Sequence, residues 1–241
     1  MAIVKPFKAV RPSRDKVALV SSKSFDAYTD KELDAKLEFN PFTFLHILNP
    51  GYKYHQEFFG EQRFQMIHNR YEEFKENKIF IKDETASFYI YESSDAHDCF
   101  CGIIAATAVE DYTNGTIKKH EGTIKKREQL FETYLKTTGF NAEPVLLTYK
   151  DDKKFNTLLQ TLKKKRPEYE FSTTDKILHR LWLVNDKENI KKIISFFENK
   201  EALYIADGHH RSASSSLLKK DLQSENIHHK GDENYNFFMS Y

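Results

Sequence analysis

The sequence predicts a mixed α/β (α+β) fold in which mixed sheets are flanked by helices, and three observations carry that expectation. From Pro144 onward, short apolar runs alternate with segments whose apolar residues recur at helical spacing. Before that, three strand-like runs follow one another between Ile79 and Val109. The composition supplies a core, since 39% of the residues are hydrophobic and 14% aromatic, which suits packing rather than disorder.

Taken in order, Pro6-Phe7-Lys8-Ala9-Val10-Arg11-Pro12 is bracketed by prolines, which cannot donate to a sheet ladder, and reads as an extended edge segment. Residues Thr29 to Glu38 read as a helix capped by Thr29 and stopped at Asn40-Pro41, and Phe58 to Asn77 as a longer one with its core stripe at Phe64, Ile67, Tyr71 and Phe74. Ile79–Lys82, Ser87–Glu92 and Phe100–Val109 read as a three-strand meander, the last strand apolar on both faces as a central strand is. After the Asn114-Gly115 turn, a helix runs to about Lys136 and ends before Gly139. Then come a strand (Pro144–Tyr149), a helix (Asp152–Lys165), a strand (Ile177–Val184) and a helix (Lys187–Asn199). A short strand (Leu203–Ala206), a five-residue turn and a helix (Ser212–Leu222) follow, and Tyr235–Tyr241 is an apolar strand that reads as a central one. The chain is expected to form a single domain over residues 1–241, with two lobes, about 1–115 and 116–241, as the alternative.

Charge narrows the function. With 37 Lys and Arg against 36 Asp and Glu, the net charge is +1, and nothing global draws the chain to nucleic acid or to an anionic membrane. No window approaches the roughly 18 apolar residues of a membrane span, and the first residues do not resemble a secretory signal. Cys99 and Cys101, two apart in an apolar run, suit a core strand with reduced thiols better than a disulfide or a zinc site. A cytoplasmic location is expected.

The densest chemistry lies in Tyr204-Ile205-Ala206-Asp207-Gly208-His209-His210-Arg211, a turn from an apolar strand into a helix. A helix N-terminus offers unpaired N–H groups and the positive end of its dipole to an anion. Gly208 would let the backbone approach a phosphate, His209, His210 and Arg211 would donate to it, and Asp207 would bind magnesium or orient a histidine. The bland alternative makes Asp207 a helix cap and the histidines surface residues. A competing reading takes Asp207, His209 and His210, with His179 or His120, as zinc or iron ligands. A second cluster, His120-Glu121-Gly122-Thr123 with Lys126 and Arg127, offers Glu121 as a general base or magnesium ligand and basic groups for a phosphate, or else a solvated helix start. Asp26 and Tyr28 are weaker candidates.

These segments, with Pro6–Pro12, Asn40-Pro41-Phe42-Thr43-Phe44-Leu45-His46 and His179-Arg180-Leu181-Trp182, resemble the bacterial and archaeal family known as domain of unknown function 1015. More distantly that family resembles the ParB and sulfiredoxin superfamily, which includes free serine kinases using ADP or ATP. The resemblance implies a ParB/sulfiredoxin-like phosphate-binding strand-turn-helix in which Gly208, His210 and Arg211 match the phosphate turn and Asp207 its leading acid. Members usually run well beyond 241 residues, so a C-terminal part of the family is expected to be absent, and Ser24-Phe25-Asp26-Ala27-Tyr28 stands where many carry a Pro-Pro-Tyr-Asp-Val-like turn.

The function expected is therefore nucleotide binding, with ADP or ATP and Mg as cofactor and phosphoryl transfer to a small molecule as the reaction. Its catalytic residues would be Glu121 and Asp207, its nucleotide contacts Gly208, His209, His210 and Arg211, its substrate contacts His120, Thr123 and Arg127, and its metal ligand Asp207. The alternatives are a non-catalytic nucleotide or phospho-ligand sensor and, behind it, a metal-binding hydrolase; neither a nucleic acid nor a membrane is an expected partner.

Overall fold

The computed structural model describes residues 1–241 except the side chain of Asp26, so the weak Asp26 candidate lies outside the described residues. The proline-punctuated N-terminus gives two short strands, β1 (Val4–Lys5) and β2 (Val10–Pro12). Four helices follow, α1 (Val17–Val20), α2 (Asp30–Phe39), α3 (Leu45–Leu48) and α4 (Gly60–Glu76). Thr29 caps α2 in a reciprocal box with Glu32. The α4 stripe buries Phe64, Ile67 and Phe74 with Val20, Ile47 and Phe80 in a small satellite core, against which Tyr71 packs.

Next come β3 (Phe80–Lys82), β4 (Phe88–Ser94), β5 (Cys99–Ala108), α5 (Val109–Thr113) and β6 (Ile117–Lys118). The expected meander is corrected here: β4 and β5 form a hairpin, but β3 pairs antiparallel with β2. The expectation that β5 is apolar on both faces is corrected for its first three residues. Cys99, Phe100 and Cys101 are exposed, and burial begins at Ile103 where a second set of neighbours closes in. Both cysteines are free thiols.

The second half is α6 (Lys125–Thr138), β7 (Leu146–Thr148), α7 (Lys153–Leu162), β8 (Tyr169–Ser172), β9 (Leu178–Val184), α8 (Lys187–Glu198), β10 (Leu203–Asp207), α9 (His209–Glu225) and β11 (Phe237–Ser240). Gly139 ends α6 at φ 76°, and Asp152 and Asp186 cap α7 and α8 with their side chains. Strand β8 leaves little signal in the sequence, because Tyr169-Glu170-Phe171-Ser172 is short and comes soon after a basic helix end.

The main sheet runs β1-β5-β4-β9-β8, with β11 also on β5. Thr107 pairs with Val4 on one side and Phe238 on the other, so β5 is flanked there by β1 and β11. A three-stranded sheet, β6-β10-β7, carries the site. The two sheets are stitched by β11: Val145 donates to the Met239 carbonyl at 2.9 Å, and Tyr241 donates back to Val145 at 2.8 Å, in parallel sense. The main core lies along this seam and includes Phe88, Ile90, Ile117, Val145, Leu203, Ile205 and Phe238. Among the described residues no helix is long and apolar enough to cross a membrane.

Candidate functional site

Strands β6 and β10 are parallel neighbours, Leu203 opposite Ile117 and Tyr204 opposite Lys118, so the segment that follows β6 runs on beside the last residues of β10. The chain leaves β6 through His120-Glu121 and leaves β10 through Asp207-Gly208-His209. The carboxyl ends of neighbouring parallel strands are where open α/β sheets collect ligand-binding loops. The two segments that the sequence offers as separate clusters therefore meet.

The turn is tighter than expected. Helix α9 begins at His209, not Ser212, and Gly208 alone separates it from β10. This corrects the five-residue turn: His209, His210 and Arg211 are the helix's first turn. Gly208 takes a φ of 97°, which selects glycine, and a Cβ there would lie 3.2 Å from Arg211 Nε and 3.3 Å from the Val145 Cα, so the space is tight as well. The helix continues through buried Ser212, Ser214 and Ser215, whose hydroxyls donate to carbonyls one turn back, at 3.2 Å to Gly208, 2.6 Å to His210 and 2.8 Å to Arg211. Small side chains satisfied within their own helix allow α9 to lie close against α5, α6 and β11.

Arg211 folds back over Gly208. Its guanidinium donates to Asp207 and to the Pro144 carbonyl and lies 3.5 Å from Glu143. Asp207 therefore pairs with Arg211 rather than capping the helix, and no side chain caps α9. The first N–H groups of α9 face no capping side chain.

His209 is buried, at 5% exposure. Its ring meets that of His120 edge-on with centroids 4.4 Å apart, and its Nδ1 lies 3.7 Å from Glu121 Oε2. Burial first, and His120 second, hold its pKa below the ordinary imidazole value and so favour the neutral ring. His209 Nε2 and His210 Nδ1 are, among the described residues, the buried side-chain nitrogens or oxygens without a hydrogen-bond partner. Native structures pair nearly all such atoms, so two orphans in consecutive residues of one turn point to a partner from outside the chain.

The remaining candidates lie around this centre. Thr123 gives its hydroxyl to Glu128 at the start of α6, and Arg127 lines an open groove on that helix with Ile124 and Leu130. His179 is committed elsewhere: on β9 it hydrogen-bonds Tyr91 at 2.7 Å and stacks on Phe171, so of the two histidines weighed as companions it is His120 that joins His209. Tyr28 accepts from the Lys23 amide at 2.8 Å in a local turn. Sequence reasoning missed the parts played by Glu143, Pro144 and Val145, which hold Arg211 and close over Gly208; a backbone carbonyl and a Cα leave no signal in a sequence.

Fold and site together define a mixed α/β protein with a strand-glycine-helix turn at the carboxyl ends of two parallel strands. The chain belongs to the DUF1015 family, described as protein of unknown function, whose model matches residues 4–241. No curated protein and no solved structure matches it.

Proposed function

We propose that the Gly208 turn binds a phosphate of ADP or ATP with magnesium, and that the protein transfers a phosphoryl group to the hydroxyl of a small molecule. What carries this reading is the convergence, in one turn, of an uncapped helix N-terminus with two unpartnered imidazole nitrogens. Its ParB/sulfiredoxin-like resemblance motivates free serine as the acceptor. The near-neutral net charge favours a small ligand over a nucleic acid, and a cytoplasmic location goes with the use of nucleotide.

In this reading Gly208 admits the phosphate to the backbone, and the first N–H groups of α9 with His209 and His210 donate to it. An arriving phosphate competes with Asp207 for Arg211, and Asp207, once released, is the carboxylate for magnesium. Magnesium supplies charge neutralisation at the transferred group. Glu121, exposed in the bend that follows β6, is the proton acceptor, while His120, Thr123 and Arg127 border the acceptor's approach. A non-catalytic phospho-ligand sensor is the second reading, favoured by the Arg211–Asp207 pair, which a bound phosphate would open and its loss would close.

The test is thermal unfolding with ADP, ATP and magnesium. Nucleotide at about a hundred times its Kd should stabilise the protein by roughly 2.7 kcal/mol. His210→Ala, which removes an orphan nitrogen without touching the Arg211 latch, should abolish the shift. No shift in the wild type at millimolar nucleotide overturns the proposal, and binding without phosphoryl transfer to serine or to a panel of other small alcohols selects the sensor.

A further inference from the structure

We propose that His120, Glu121 and His209 bind one divalent transition-metal ion of the zinc type, through two imidazoles and one carboxylate, with the fourth coordination position open. One ligand atom from each residue lies within 4.8 Å of the others. His209 is buried, fixed in the first turn of α9, and turns its Nδ1 toward Glu121, 3.7 Å from Oε2.

The remaining two ligands can close on it. His120 and Glu121 are exposed and follow the last residues of β6, where the chain bends at Glu121, so neighbouring side chains can turn to the same side. A tetrahedral ion with bonds of about 2.0–2.1 Å needs ligand atoms roughly 3.3 Å apart, a contraction open to two exposed side chains around one buried imidazole. The donor set also selects the ion. Imidazole suits zinc and its first-row neighbours, whereas magnesium and calcium take oxygen ligands, so this site is distinct in kind from a magnesium site at Asp207.

Two imidazoles and a carboxylate with an open position form a catalytic rather than a closed structural type of zinc site. A water there would be acidified, and it would take over the proton-accepting part given above to Glu121. The inference stands on the ligand geometry and does not require nucleotide binding.

The experiment is a titration of the untagged, chelator-stripped full chain with Zn²⁺ against a chromophoric competitor, repeated with Co²⁺ and read by its visible absorption. The expected result is one equivalent per chain with submicromolar affinity and a tetrahedral or five-coordinate Co²⁺ spectrum. Affinity should fall at least about tenfold in His120→Ala and in Glu121→Gln, since even losing a hydrogen-bond partner behind a metal ligand costs that much. Both replaced residues are exposed, so these variants should keep the wild-type urea midpoint. The double variant His228→Ala, His229→Ala, which removes the other adjacent histidine pair, should bind as the wild type does. Absence of a stoichiometric site, or equal affinity in His120→Ala, overturns the proposal. The ADP heat shift of the stripped protein with magnesium is scored separately: nucleotide stabilisation without Zn²⁺ binding removes this inference alone, and Zn²⁺ binding without a nucleotide response removes the phosphate reading alone.

Discussion

Gly208 is held by two constraints, its left-handed backbone and the closeness of Val145 and Arg211. Gly208→Ala should cost about 1–2 kcal/mol for the conformation, with a further loss for the displaced Arg211, read as a lowered urea midpoint. A different kind of residue-level constraint acts at Arg11. It is nearly buried and donates to both Asp83 oxygens at 2.9 and 3.0 Å and to Glu168 at 3.0 Å, tying the β2–β3 ribbon to the segment entering β8. Removing one member of a buried pair strands the other, so Arg11→Ala should destabilise by about 3–5 kcal/mol in denaturant unfolding. Arg11→Lys should recover only part, because an ammonium cannot reproduce the forked contact.

Among the elements, β11 decides most about the site. It is a strand of four residues, yet it pairs with β5 through Phe237–Ser240 and presents its other edge to Val145 and Leu147. Val145 in turn closes over Gly208, so β11 braces the turn from behind. Phe238, at 2% exposure, anchors the strand in the main core. Phe238→Ala should cost about 3–5 kcal/mol and should also speed amide exchange in β7 and the first turn of α9 relative to the satellite core around Phe74. Uniform exchange across both regions would remove β11 from this bracing role.

On the scale of the whole molecule, buried charge ties distant parts of the main sheet together. Glu92 of β4, at 6% exposure, meets Lys163 at the end of α7 and Arg180 of β9. Burial pushes its carboxyl up, but Lys163 and then Arg180 outweigh this and hold its pKa below the ordinary 4.5. A carboxyl depressed on folding adds stability above its unfolded pKa and loses it as the pH falls through the folded value. The wild type should therefore lose stability below about pH 4.5, and Glu92→Gln, less stable at pH 7 because Lys163 is left unpaired, should show a flatter acid limb in urea midpoints measured from pH 7 to 3. An unchanged acid limb in Glu92→Gln would assign acid unfolding to other carboxylates.

By itself the sequence determined the elements whose signals are local. The capped helix after Thr29, the α4 stripe of Phe64, Ile67 and Phe74, the stop at Gly139 and the strand-to-helix turn at Gly208 all follow from capping, periodicity and glycine, which act within a few residues. The mixed α/β class followed from the same signals taken in order. Only the tertiary structure decided which strands pair. A two-residue strand such as Ile117–Lys118 has too few side chains to declare a partner, and its parallel alignment with β10 is what brings His120 and Glu121 to His209. The pairing of β3 with β2, the burial of His209 and the closing of Val145 over Gly208 have the same origin: each depends on chain segments far apart in sequence, whose meeting is set by packing and not by any residue's own preference.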